Sequence, residues 1–228
     1  MGVRLRIPAS EVGPVTQIAS GRKVCSSRQV CDWSGLDQRI SAERSLLLPI
    51  AARRAFENRH DCPVTLSSGR QSDYYVDGKQ VTLGDPRGAL LFAQIILKAL
   101  EGQPVDTIGG LTIGADPIVG GVVVLSALEG RPYPGFIVRK EPKKHGKKAL
   151  IEGDLKRDDR AVIVDDVITT GTSILKTIRE VESHGVTVVG VLALTDREEG
   201  GRAVLEGQGY RTFAVFTAEE LARAKTCP

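Results

Sequence analysis

The sequence predicts an α/β fold with a mainly parallel central sheet flanked by helices, and three observations predict it. Short, β-branched apolar runs alternate with helix-length amphipathic stretches from about Val105 to Leu194. The run Ala161-Val162-Ile163-Val164 has no polar face, as expected of a central strand covered on both sides. It leads at once to Asp165 and Asp166, then to a hydroxyl-rich turn, Thr169-Thr170-Gly171-Thr172-Ser173, and to a helical run with Ile174, Leu175, Ile178 and Val181 on one face. Open α/β sheets place their ligands beyond the carboxyl ends of such strands.

Composition bounds the function. A chain of 228 residues is long enough for one sizeable domain, or a domain with appendages. With 31 Lys and Arg against 28 Asp and Glu, the net charge of +3 is too small to argue for nucleic acid as a partner. Cys25, Cys31, Cys62 and Cys227 show no C-x-x-C spacing, so neither a zinc site nor a disulfide framework is indicated. Reduced thiols in a cytoplasmic protein are expected. No apolar run approaches the roughly 20 residues that span a bilayer, and the N-terminus lacks a secretory apolar region, so no membrane partner is expected.

Taken in order, residues 1–41 have no apolar period and read as a poorly ordered extension; Trp33 within it has no apolar partners nearby in sequence. Ala42 to Asn58 turns helical, with Leu46, Leu47, Ile50, Ala51 and Phe56 as its apolar face and Pro49 inside it as a kink or a start. Val64 to Leu83 reads as a β-hairpin broken by Ser-Ser-Gly and Asp-Gly turns. Asp85 and Pro86 provide an N-cap and first-turn proline for a helix to Leu100. A strand at Val105–Gly110, a helix at about Pro117–Leu128 and a strand at Gly135–Val138 follow. After the central strand and its helix, which Gly185 terminates, comes a buried strand at Val186–Leu194. Thr217 and Glu220 form a capping box for a last helix ending near Ala224.

The turn after Asp166 suits a phosphate: amides at a helix start point at an anion, the helix dipole favours its charge, and the hydroxyls add donors. Carboxylates beside a phosphate cradle point to a sugar phosphate. A Walker B strand or a receiver-domain acidic pocket is the competing reading, but a Walker B strand needs a G-x-x-x-x-G-K-[ST] loop, and the chain contains none.

The run VIVDDVITTGTS, Val162 to Ser173, closely resembles the phosphoribosyl pyrophosphate (PRPP) signature of type I phosphoribosyltransferases. That resemblance implies the type I phosphoribosyltransferase fold over residues 42–228, with a small N-terminal hood at about 42–84 and a core at about 85–228. It implies that Asp165 and Asp166 hydrogen-bond the ribose hydroxyls, and that Val167, Ile168, Thr169, Thr170, Gly171, Thr172 and Ser173 wrap the 5′-phosphate. R-K-E-x-K-x-H-G, from Arg139, resembles the mobile catalytic loop of orotate phosphoribosyltransferases, which closes over the neighbouring subunit's active site. Arg139, Lys140, Lys143 and His145 fall on its pyrophosphate-contacting positions, and Lys143 and His145 join Asp165 and Asp166 as the implied catalytic group.

TLSSGRQSDYY, Thr65 to Tyr75, resembles the hood of the same enzymes, where groups near Tyr74 and Tyr75 read the pyrimidine. Thr169 and Arg197, the latter in LTDREEGG, match further orotate positions. LTIGADP resembles the pyrophosphate loop, with Thr112, Ile113, Gly114, Ala115 and Asp116 as its members. Many orotate enzymes carry a lysine in this loop and another in the hood; here Ala115 or Asp116 stands at the first position and Ser67 at the second, which gives Arg70, Asp116 and the mobile loop more weight.

The resemblance implies transfer of phosphoribosyl from PRPP to orotate, giving orotidine 5′-monophosphate and pyrophosphate in pyrimidine (UMP) biosynthesis. Mg2+ bound mainly through PRPP, with no direct protein ligand, and a homodimer with shared active sites are implied with it. A purine-salvage phosphoribosyltransferase would share the central signature without combining it with T-L-S-S-G-R and R-K-E-x-K-x-H-G. A PRPP-binding transcription regulator on the same fold would need a DNA-reading module, and residues 1–41 show no helix-turn-helix pattern.

Overall fold

The computed structural model describes residues 30–59, 61–65, 71–141 and 150–226. Residues 1–29 of the expected extension, Ser67 and Arg70 of the hood, and Lys143 and His145 lie outside the described residues. In chain order the elements are α1 (Leu36–Arg39), α2 (Ser41–Arg54), β1 (Phe56–Asn58), β2 (Val64–Thr65), β3 (Gln71–Ser72), β4 (Tyr74–Val76), α3 (Lys79–Thr82) and α4 (Pro86–Leu100). Then follow β5 (Thr107–Leu111), α5 (Ala115–Leu128), β6 (Gly135–Val138), β7 (Ile151–Gly153) and β8 (Arg160–Ile168). The chain closes with α6 (Thr172–Ser183), β9 (Thr187–Asp196), α7 (Gly201–Gly207), β10 (Thr212–Thr217) and α8 (Ala218–Thr226).

Six strands form the main sheet in the order β10-β9-β8-β5-β6-β7. All neighbours are parallel except β6 and β7, which pair antiparallel at one edge. The apolar runs of the sequence explain why: β8 sends Val162 and Val164 into one core and Ala161 and Ile163 into the other. The first core packs α2, α4, α5 and α8 on one face of the sheet. The second is closed by Ile174, Ile178 and Val181 of α6 and Leu205 of α7. Arg160, at the start of β8, makes a two-pronged ion pair with Asp106 at 2.7 and 2.9 Å, which sets β8 beside β5.

Helix signals in the sequence act as expected. The Asp85 carboxylate accepts the N–H groups of Arg87 and Gly88 at 3.1 and 2.9 Å, with Pro86 at the first helical position of α4. The Thr217 hydroxyl accepts from the Glu220 N–H while the Glu220 carboxylate accepts from the Thr217 N–H, a reciprocal capping box for α8.

Several expectations are corrected. The extension does not run to Ser41: Cys31, Leu36 and Ile40 are fully buried, and the Cys31 N–H donates to the Val189 carbonyl at 2.8 Å. Trp33 finds its apolar partner across the chain, edge-on to Phe213 with ring centroids 6.1 Å apart. Burial pushes the Cys31 thiol up to about 12, against the opposing charge of Arg160. In α2, Leu47, Ile50 and Ala51 are buried but Leu46 is exposed, Phe56 belongs to β1, and the helix continues through Pro49 to Arg54. The expected single hairpin is two pairings: β2 with β3, and β4 back with β1, followed by the short helix α3.

Candidate active site

The chain fills the sheet outward from β5 to the β6–β7 edge, then returns to lay β8 on the other side of β5. The carboxyl ends of β5 and β8 therefore flank a topological switch point, where a crevice opens. β8 widens it by outrunning its neighbour: its register with β5 covers Ala161 to Ile163, whereas with β9 it continues to Ile168. Asp165 and Asp166 occupy the part of β8 that β5 does not cover.

Backbone that lacks side chains closes around this acid pair. A Cβ on Gly114, in the β5–α5 loop, would stand 2.7 Å from Oδ1 of Asp165 and 2.6 Å from Oδ1 of Asp166, and one on Gly78 would stand 2.8 Å from Cβ of Asp166. The Asp166 N–H donates to Oδ1 of Asp165 at 2.9 Å. Lys79 Nζ lies 3.2 Å from Oδ2 of Asp166 and 2.7 Å from Oδ1 of Asp77. Burial and then the neighbouring Asp166 carboxylate push the Asp165 carboxyl well above the usual carboxylate range, with Lys79 opposing. Burial works against the charge on Lys79, but the Asp77 and Asp166 carboxylates outweigh it and hold the ammonium above the usual lysine range.

Beyond the acids, the turn Thr169–Gly171 delivers the chain into α6. Gly171 adopts φ 76°, and no side chain caps the helix, so its first amides are left to the cleft. Thr170 and Thr172 hydroxyls stand 3.1 Å apart beside them. The turn rests on α7: the Gly201 N–H donates to the Thr169 carbonyl at 3.0 Å, and a Cβ on Gly201 would come within 2.3 Å of that oxygen.

A cleft of about 740 Å3 opens in front of this turn, with Thr169, Thr170, Thr172 and Ser173 on one wall and Arg139 and Lys140 on another. A second cleft of about 570 Å3 lies between Arg139, Lys140, Thr112 and Asp116. Arg139 follows β6, its N–H donates to the Leu150 carbonyl at 2.7 Å, and its guanidinium faces Glu152 at 3.6 Å. The β6–β7 pairing thus fixes both ends of the segment that carries Lys143 and His145.

In the β5–α5 loop the Thr112–Ile113 peptide is cis, and the Thr112 hydroxyl donates to Asp116 at 3.2 Å. Ala115 is fully buried, so of the two candidates for the family's lysine position it is Asp116 that faces the cleft. On the hood side, Tyr74 stacks on Phe56 at 5.5 Å, and its hydroxyl donates to the Arg197 carbonyl at 3.1 Å. Tyr75 is exposed. Arg197 is only 4% exposed, and its guanidinium lies 5.0 Å over the Tyr74 ring. Nη2 meets Glu199 at 3.0 Å and the Ser72 hydroxyl at 3.3 Å, while Nε has no partner among the described residues. Arg197 is therefore both ion-paired and built into the joint between hood and core.

The geometry brings Thr169, Thr170, Thr172 and Ser173 of the turn to one cleft with Arg139 and Lys140, and Thr112 and Asp116 to a second cleft beside the same two cations. Asp165 and Asp166 precede the turn on β8 against Gly114 and Gly78, whereas the Ile168 side chain is fully buried in the second core and Val167 packs against the first. Tyr74, Tyr75 and Arg197 sit where the hood meets β9. Sequence reasoning missed Lys79, Lys176, which lines the larger cleft, and Gly201; the D-G-K that follows Tyr75 was the available signal for the first. Among the described residues, no three His, Cys, Asp or Glu side chains gather as a metal site, and no helix is long and apolar enough to cross a membrane.

Residues 66–208 match the phosphoribosyl transferase domain family. The chain is 40% identical over 182 residues to an orotate phosphoribosyltransferase of Aquifex aeolicus (strain VF5), covering 80% of this chain and 99% of that protein. It is 43% identical over 185 residues to the orotate phosphoribosyltransferase of Nostoc sp. (strain PCC 7120), covering 80% and 86%. The crystal structure of Mycobacterium tuberculosis H37Rv orotate phosphoribosyltransferase with Fe(III) dicitrate superposes with a TM-score of 0.67 at 35% identity, covering 78% of this chain and 98% of that one. The same enzyme in complex with PRPP superposes with a TM-score of 0.64 at 33% identity, over 78% and 98%. With the signature turn, the sheet order and these likenesses in agreement, the chain belongs to the orotate phosphoribosyltransferases of the phosphoribosyl transferase domain family.

Proposed function

We propose that the protein transfers the phosphoribosyl group of PRPP to orotate, giving orotidine 5′-monophosphate and pyrophosphate in pyrimidine biosynthesis. The observation that carries this reading is the cleft at the switch point, where the uncapped start of α6 and the hydroxyls of the turn before it face Arg139 and Lys140, with the acid pair on β8 just ahead of that turn. Asp165 and Asp166 accept the ribose hydroxyls, and the amides and hydroxyls of Thr169 to Ser173 hold the 5′-phosphate. The 112–116 loop offers its amides to the diphosphate, and Arg139 and Lys140, with Lys143 and His145, neutralise it as it departs.

Displacement at the anomeric carbon passes through an oxocarbenium-like state, so the chain's work is to place the base nitrogen in line and to spread the leaving charge. Tyr74, Tyr75, Thr169 and Arg197 form the orotate side, the guanidinium supplying a rigid donor fork for a planar anion. The hard carboxylate oxygens of Asp165 and Asp166 suit a site next to Mg2+, which, bound through PRPP, supplies further charge neutralisation.

The enzyme is a cytoplasmic homodimer in this reading. Helix α5 carries no charged side chain after Asp116 and leaves Val124 and Leu128 more than 60% exposed at helical spacing, a face suited to a second copy of the chain. The test is loss of orotate absorbance on mixing the protein with PRPP and Mg2+, with uracil and hypoxanthine as control bases. Magnesium-dependent loss with orotate alone is the expected result; turnover of hypoxanthine, or of no base, would overturn the assignment.

A further inference from the structure

We infer that Lys79 is a positioning residue for the PRPP site, holding the Asp166 carboxylate from the hood. The inference rests on the reading of Asp166 as a PRPP ligand. Three features carry it. First, the hood touches β8 directly at this point, because Gly78 leaves no Cβ where one would come 2.8 Å from Cβ of Asp166. Second, the next residue spans the joint: Lys79 Nζ meets Asp77 Oδ1 at 2.7 Å on its own side and Asp166 Oδ2 at 3.2 Å across 87 residues of sequence.

Third, the hood end of this bridge is itself anchored. The Asp77 N–H donates to the Ala55 carbonyl at 2.9 Å, and its carboxylate accepts the Lys79 N–H at 3.2 Å and Gln80 Nε2 at 3.3 Å. Asp77 also lies one residue beyond β4, the strand that holds Tyr74 and Tyr75. Lys79 therefore reaches toward Asp166 from a fixed base.

The need for a cation there is electrostatic. Asp165 and Asp166 are adjacent, the first partly buried and the second only 7% exposed, and linked by the Asp166 N–H on Oδ1 of Asp165. Two carboxylates so placed repel, and a buried charge stripped of its partner is strongly unfavourable. An ammonium on Oδ2 of Asp166 fixes the orientation of that carboxylate for the ribose hydroxyls. Lys79 touches no reacting atom in this scheme and acts through Asp166.

Full-length wild type, Lys79→Met and Lys79→Arg should be compared by calorimetric titration with PRPP and Mg2+, alongside melting temperature. Lys79→Met is expected to raise the Kd for PRPP about tenfold, the size of a charge-assisted contact that is partly screened. Lys79→Arg should recover most of it. In an Asp166→Asn background, Lys79→Met should weaken PRPP no further, whereas a general weakening of the hood would add in both backgrounds. PRPP Kd in Lys79→Met within twofold of wild type, or failure of Lys79→Arg to recover binding, would overturn the role. If Lys79→Met does not fold, Lys79→Gln takes its place in the same comparison. Wild type that binds PRPP but turns over no orotate would overturn the enzymatic reading instead and leave the Lys79 comparison intact.

Discussion

Gly114 and Asp166 are in such close contact that a Cβ on the glycine would lie 2.6 Å from a carboxylate oxygen. Gly114→Ala should therefore push the β5–α5 loop and the acid pair apart. The KM for PRPP is expected to rise about tenfold or more, since overpacking of this kind costs about 1–3 kcal/mol. Steady-state kinetics with PRPP varied at saturating orotate would check it.

Asp165 lends the unliganded fold a pH dependence of definite sign. Its carboxyl titrates higher folded than unfolded because burial and Asp166 disfavour its charge. Its contribution to stability is thus full below the ordinary carboxylate range and is lost as pH rises through the raised folded value. Asp165→Asn should raise the melting temperature of the unliganded protein at neutral pH, and the gain should shrink as the pH is lowered. Thermal scans from acid to neutral pH would show it, with PRPP binding weakened in the same variant.

Arg197 holds Glu199, the Ser72 hydroxyl and the face of Tyr74 with one planar group. Lysine keeps the charge but not the fork. Arg197→Lys should raise the KM for orotate about tenfold while leaving that for PRPP nearly unchanged, in line with a loss of about 1–3 kcal/mol for a buried charged contact. Kinetics with each substrate varied in turn would separate the two constants.

The exposed apolar face of α5 gives a test of assembly. Val124→Glu with Leu128→Glu should convert a dimer to monomer in sedimentation velocity without loss of helical content by circular dichroism. A wild-type chain that sediments as a monomer would refute the dimer directly.

Much of this architecture was legible because it is written locally. The apolar run at Ala161–Val164, the Asp85-Pro86 start and the Thr217–Glu220 box are each satisfied within a few residues of themselves. The strand, turn and helix start of the 165–173 stretch were legible for the same reason. What escaped was set by distant partners. Cys31, Leu36 and Ile40 lack a readable period because their segment is ordered by distant partners, Cys31 and Trp33 by β9 and β10 and the α1 stretch by α2 and α4, rather than by its own pattern. The strands β7 and β10 and the helix α7 were missed: β7 is three residues at an edge, and α7 is one short stretch lodged between strands. Lys79 could be read as a surface lysine until the fold brought Asp166 to it.

The seating of the signature turn on Gly201 has a consequence for reading variation in this chain. A side chain there would displace the Thr169 carbonyl and the Gly171 amide, from which it would stand 2.3 and 2.7 Å. Scored by catalysis alone, such a variant would be indistinguishable from one in the turn itself, although position 201 lies behind the cleft wall. A map of functional positions drawn from sequence variants would thus extend to the start of α7, marking the foundation of the phosphate turn as though it were part of its lining.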